Sequence, residues 1–99
     1  MSEDYNEKLM RALDDPVPDV AASAARILGV RRTPKALEAL FRLSTSHDPE
    51  RAEAALEALA FYDDARVDAR LVKACMNGTA RERFIARTAL RRRVMELHP

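Results

Sequence analysis

One cysteine, two glycines and no tryptophan in 99 residues exclude a good deal. A lone Cys75 cannot close an internal disulfide or supply a cysteine cluster for zinc, so the fold must stand on packing, and a reducing, cytoplasmic setting is expected. Two glycines are too few for the turns of a β-rich domain. No apolar run approaches the roughly 18 residues of a membrane span. The opening Met1-Ser-Glu-Asp-Tyr-Asn-Glu7 is acidic where a secretory signal is basic. Charge of one sign is also lacking: 17 Lys and Arg face 16 Asp and Glu, a net +1, and no global field draws in nucleic acid or an anionic membrane.

What is present is helical material. Hydrophobic types make up 47% and charged types 33% of the chain, too apolar for a disordered segment. The abundant Ala and Arg favour helices, and the length fits one domain over residues 1–99. The expected class is all-α. Asp15-Pro-Val-Pro18, Thr33-Pro34 and Asp48-Pro49 each read as a capping residue followed by a first-turn proline, where the missing N–H costs nothing. Thr79-Ala-Arg-Glu82 reads as a capping box behind Gly78, and Asp63-Asp64 can cap one more start. These signals predict six helices near 3–14, 18–29, 34–45, 49–62, 64–76 and 80–96, the second stopping at Gly29.

The helices repeat. At a shift of 31 residues Ala24, Ala55 and Ala86 align, followed by Leu28, Leu59 and Leu90 with Ile27, Ala58 and Ala89 beside them. In the alternate helices Leu9, Leu40 and Leu71 align, flanked by Met10, Phe41 and Val72, and Pro18 maps onto Pro49. Three helical hairpins follow, in units of about 1–30, 31–61 and 62–97. A single hairpin cannot bury its apolar face alone, so the units stack into an α-solenoid, for which about three repeats are the minimum. Leu28, Leu40, Leu59 and Leu71 are the expected core. Helix one, with Tyr5, Leu9, Met10 and Leu13, leaves an apolar open end suited to self-association.

The run Asp15-Pro-Val-Pro-Asp-Val20-Ala-Ala-Ser-Ala24-Ala25-Arg-Ile-Leu28-Gly29 resembles the unit of the short HEAT-like repeats related to those of phycobilisome lyases: an Asp-led turn, Val-Arg, paired Ala, then Leu-Gly. The chain departs from that pattern at Ala21 and Ala52, where the family favours Arg and only Arg83 fits. It departs again at Leu59-Ala60 and Leu90-Arg91, where the Leu-Gly ending is lost. The resemblance implies a HEAT-like solenoid whose second hairpin helices, here helices one, three and five, line a concave binding surface.

Catalytic candidates are few. General acid–base or nucleophilic work needs a base and a partner within hydrogen-bond reach, and the only imidazoles are His47, in the Ser44-Thr-Ser-His-Asp48 turn, and His98, the penultimate residue. Cys75 shares the column of Leu13 and Ser44 and reads as a small buried thiol. Asp14-Asp15 and Asp63-Asp64 precede helices and read as caps rather than paired carboxylates for acid catalysis or metal. No Gly-rich phosphate loop and no zinc spacing occurs. No enzyme, no cofactor and no metal site is therefore expected.

Binding remains. At the 31-residue shift helices one, three and five present Arg11, Arg42 and Lys73 in one column, a ladder of cations with steps of about 8–10 Å between packed helices. An acidic segment of another protein is the expected partner. Glu7 and Glu38, four residues ahead of Arg11 and Arg42, are placed to form helical ion pairs with them. In the last helix Arg83, Arg87 and Arg91 recur every four residues beside Arg81, Arg92 and Arg93, a stripe that either holds phosphates or gives the terminal unit a polar outer face. Phe41, Phe61 and Phe84 fall at apolar positions and read as core rather than base-stacking platforms. The expected function is a non-enzymatic protein-binding adaptor or scaffold; the alternative is a nucleic-acid-binding module using the Arg-rich last helix.

Overall fold

The computed structural model describes residues 4–97. It contains six α-helices, Tyr5–Ala12 (α1), Pro18–Val30 (α2), Leu37–Leu43 (α3), Pro49–Leu59 (α4), Ala65–Asn77 (α5) and Ala80–Leu97 (α6), with a 3-10 turn at Pro34–Ala36 leading into α3. Among the described residues there is no strand. The helix starts follow local chemistry. Asp48 accepts the Arg51 N–H at 2.9 Å and Asp64 accepts the Arg66 N–H at 2.8 Å, each satisfying one of the orphan donors of a first turn. Thr79 and Glu82 form the reciprocal capping box, at 3.1 and 3.0 Å. Two starts differ from expectation. Asp15 does not cap α2; its Oδ1 accepts the Val17 N–H at 2.9 Å, folding the Asp-Pro-Val segment into an Asx turn that delivers Pro18 to the first helical position. Thr33 precedes its proline without a side-chain cap.

The end of α2 also differs. The helix continues past Gly29 to Val30 and is turned by Arg32, whose φ of 51° is left-handed. The Arg32 and Thr33 N–H groups return to the Gly29 and Leu28 carbonyls at 2.9 and 3.2 Å, closing the terminus as a glycine usually does. Gly29 serves packing instead. A Cβ built on it would lie 2.6 Å from the Ala58 Cα, so its hydrogen is what lets α2 approach α4.

Helices α1, α3 and α5 pack on α2, α4 and α6 respectively, and successive hairpins join through α2–α4 and α4–α6. The result is a two-layered solenoid of helical hairpins, a slab of 43 × 30 × 16 Å. The α2–α4 contact is the most intimate, because Ala21, Ala22, Ala24, Ala25 and Gly29 of α2 and Ala52, Ala54, Ala55 and Ala58 of α4 are all buried and small side chains let backbones close up. Leucines of both layers supply the bulk: Leu28 of α2, Leu56 and Leu59 of α4, Leu40 of α3 and Leu71 of α5 are all fully buried. The aligned columns behave as repeats should, with Ala24, Ala55 and Ala86 buried, and they loosen at the ends, where Ile27 and Val72 are exposed. Helix one corrects one expectation. Leu9 and Leu13 turn inward, at 8% and 4% exposure, and the open apolar end consists of Tyr5 with residues of α2.

The Gly29–Ala58 approach predicts a reversal of the usual helix rule. Gly→Ala in an exposed helix interior gains up to about 1 kcal/mol, whereas Gly29→Ala must push backbones apart and should lose about 1–3 kcal/mol. Urea denaturation of the variant reads the sign directly.

Candidate interaction surfaces

The α1–α3–α5 layer carries the first set of candidates. Arg11 ends α1, Arg42 ends α3 and Lys73 lies within α5, and all three are exposed. Helices of this layer make few close backbone contacts with one another. A depression of about 240 Å³ between the first two hairpins is edged by Arg42 with Met10, Leu13, Asp14 and Leu43; another of about 120 Å³, within the third hairpin where α5 turns into α6, is edged by Lys73 with Arg70, Asn77 and Glu82. The expected Glu38–Arg42 pair does not form. Glu38 instead accepts from Arg66 Nη1 at 2.7 Å, a contact between successive hairpins that beats the local helical one because Arg66 is already fixed: Asp64 accepts from its Nε and Nη2 at 3.1 and 3.0 Å, and it lies 5.1 Å over the Phe41 ring. Hydrogen bonding from Arg66 holds the Asp64 carboxyl below the usual range. The same two carboxylates hold the Arg66 guanidinium more firmly protonated than usual. Among the described residues neither Arg42 nor Lys73 has an ion-pair partner.

The second set lies on α6. Arg83, Arg87 and Arg91 are exposed together, and Arg83 donates to the Gly78 carbonyl at 3.0 Å. At the 31-residue spacing seen in the Arg26–Glu57 bridge, these positions correspond to Ala52, Leu56 and Ala60 of the α4 hairpin and to Ala21, Ala25 and Gly29 of α2, every one of them buried. The stripe therefore stands on the face through which each earlier hairpin receives its successor. The rest of the Arg-rich helix is engaged: Arg81 lies 3.5 Å from Glu53, Arg92 sits 5.5 Å over the Phe61 ring, and Arg93 is 2% exposed. Sequence spacing groups Arg93 with the exposed cations of this helix, but the rotation of α6 turns it inward. Phe84 also departs from its expected core position. It is 60% exposed on the rim of a cleft of about 220 Å³ between α4 and α6, lined also by Glu57, Phe61, Ile85, Thr88 and Arg92.

The titratable candidates sit apart. His47 is exposed in the turn after α3, Cys75 is half-buried against the core, and His98 lies outside the described residues. Among the described residues no three His, Cys, Asp or Glu side chains gather as a metal site would require, and no helix is long and apolar enough to cross a membrane.

The stacked hairpins have a counterpart among known families: the family model of HEAT repeats matches residues 6–91. The chain belongs to the HEAT-repeat family. The match is to HEAT repeats in general and does not single out the lyase-related group. No curated protein and no solved structure matches the chain. HEAT repeats are generally protein-interaction scaffolds rather than catalysts.

Two residues that matter to this HEAT stack were not singled out from sequence. Tyr62 reaches back from the end of the α4 hairpin: its hydroxyl donates to the Thr33 carbonyl at 2.7 Å, with the Leu28 carbonyl at 3.3 Å. Arg93, 31 residues on, repeats the gesture one hairpin later, its Nη1 donating to the Tyr62 and Ala60 carbonyls at 2.6 and 2.9 Å while Nε donates to Asp68 at 2.7 Å. Its Nη2 is buried without a partner among the described residues, a desolvation cost that accompanies the contact. The signal was available in the 31-residue register as a pair of long donors in one column. It is hidden because Tyr and Arg share neither charge nor hydropathy.

Burial pushes the Tyr62 phenol up to about 12 from its ordinary 10. Because the folded state disfavours the phenolate, the associated stability is intact below pH 10 and is lost as pH rises from 10 towards 12, on the order of 2–3 kcal/mol in all. Tyr62→Phe should abolish that alkaline loss. At neutral pH it should cost only about 0.5–1.5 kcal/mol, one hydrogen bond. Urea titrations of both proteins at pH 8 and above pH 11 test the pair of expectations.

Proposed function

We propose that this HEAT-repeat chain is a non-enzymatic, cytoplasmic protein-binding module, an adaptor or scaffold built of three units of about 31 residues. Its docking surface is the α1–α3–α5 face, where an acidic segment of the partner lies across Arg11, Arg42 and Lys73. One observation carries this reading: equivalent positions of three successive hairpins place an exposed cation on the same face, with Arg42 and Lys73 each edging a depression and neither engaged by a carboxylate among the described residues. Arg42 is the centre of the row. An anion there feels like charges on both sides, and a carboxylate-rich chain spans steps of about 10 Å every three residues when extended.

The Arg83–Arg87–Arg91 stripe supports a second use, phosphate binding, because its guanidinium groups are exposed together on one face. Three cations stand where the equivalent positions of α2 and the α4 hairpin bury Ala, Leu and Gly, a substitution that suits a charged cap better than a further close contact between hairpins. With a labelled Glu-rich peptide as probe, Arg42→Glu should weaken binding by about tenfold or more, close to 1.4 kcal/mol, while Arg91→Glu changes it little. Stability should be nearly unaffected in both variants. The opposite ranking would move the site to the last helix. A steep fall in duplex-DNA binding with salt would then assign it to nucleic acid.

A further inference from the structure

The second and third hairpins each carry a backward-facing row that is buried or half-buried. In the α4 hairpin this row is Arg51, Ala54, Ala58 and Tyr62: Arg51 Nη2 donates to the Asp15 carbonyl at 2.7 Å, Ala58 meets Gly29, and Tyr62 reaches the Thr33 carbonyl. In α6 the row is Glu82, Ile85, Ala89 and Arg93. The corresponding row of α2 is Val20, Ser23, Ile27 and Arg31, and all four are exposed. Val20 and Ile27 are 40% and 38% exposed, with Val30 at 63% and Tyr5 at 53% beside them. A shallow depression is lined by Tyr5, Arg26, Ile27, Val30 and Arg31. The two ends of the described stack are therefore unlike. One carries Arg83, Arg87 and Arg91; the other carries an apolar row of the kind that the rest of the molecule buries.

We propose that this α2 end face binds a second copy of the chain through the same face, as a two-fold symmetric dimer with the two α2 helices antiparallel. Self-complementarity of the row is the argument. The row ends at Arg31, Asp19 stands beside Val20 at its start, and neither charge is engaged by an opposite one among the described residues. Among the described residues Arg31 donates only from its Nε, to Asn6 Oδ1 at 2.9 Å, and lies over the Tyr5 ring, with no acceptor there for its terminal nitrogens. An antiparallel copy sets Asp19 of each chain against Arg31 of the other, Val20 against Val30, and the small Ser23 against Ile27. Each contact occurs twice, as an isologous interface requires. Head-to-tail stacking of two copies would instead press the Arg83–Arg87–Arg91 row onto Val20 and Ile27 and strip three cations of water without partners. The end face is separate from Arg11, Arg42 and Lys73, so the dimer stands or falls independently of the acidic-segment reading.

An interface of one helix and a tyrosine is at the small end of specific contacts, so the test is sedimentation equilibrium of the chain up to about 1 mM, where contacts of roughly −4 kcal/mol become visible. A monomer–dimer equilibrium is expected, abolished by Ile27→Asp with the helical circular dichroism unchanged. Asp19→Arg should weaken it, and adding Arg31→Asp to that variant should restore it, because the charge swap re-forms both pairs. Arg87→Glu should leave it intact. A strict monomer across the range overturns the proposal. So does a dimer indifferent to Ile27→Asp, a swap that fails to restore association while each variant keeps its helical signal, or an association lost on Arg87→Glu, which would show head-to-tail stacking.

Discussion

A pair of short helices has one more apolar face than it can cover by itself. That constraint organises the whole molecule: each hairpin must lend a face to the next, and the closeness of the loan is set by how small the residues between them are. Between α2 and α4 the row of alanines ending in Gly29 lets backbones approach until a single added methyl would collide with Ala58. Leucines of both layers then fill the space that this approach defines, and Leu28, Leu40, Leu56, Leu59 and Leu71 lose all contact with water. Burial of this kind contributes roughly 1.5–3 kcal/mol per large apolar side chain, which for a stack this small decides whether it folds.

Close stacking creates a second problem, since the carbonyl ends of α2 and α4 are drawn into the interior where water cannot reach them. Donors from the following hairpin meet them, Tyr62 at the Leu28 and Thr33 carbonyls around the first and Arg93 at the Ala60 carbonyl just past the second. The two solutions are chemically different, a neutral hydroxyl in one case and a guanidinium balanced by Asp68 in the other. They share a geometry and the register of the repeat. Surface contacts such as Arg66 with Glu38, or Arg26 with Glu57, follow the same step between hairpins but are exposed and contribute at most about 1 kcal/mol each.

Most of this fold was legible in the sequence because helix starts and apolar columns are local or periodic signals. Asp48, Asp64 and the Thr79–Glu82 box cap where they were expected to cap, and the leucine columns are core. What was not legible depends on the facing helix. Gly29 looks like a stop signal until Ala58 is placed against it; Arg93 looks like one more surface cation until the rotation of α6 points it inward; Phe84 reads as core by its apolar side chain yet projects outward. The candidate surface was legible only as a spacing. Arg11, Arg42 and Lys73 do share an exposed layer, but the expected restraint of Arg42 by Glu38 was replaced by a contact with Arg66, which no helical pairing rule contains.

If neighbouring hairpins hold each other up, damage to one must be felt by all. Native-state hydrogen exchange on Leu59→Ala measures this most directly. The leucine is fully buried in the middle hairpin, and its truncation should lower stability by about 2–5 kcal/mol. The account predicts that the opening free energies of the best-protected amides in α2, α4 and α6 fall together by that amount. A fall confined to α3 and α4, with α2 and α6 keeping their wild-type protection, would contradict it and show three hairpins that merely adjoin.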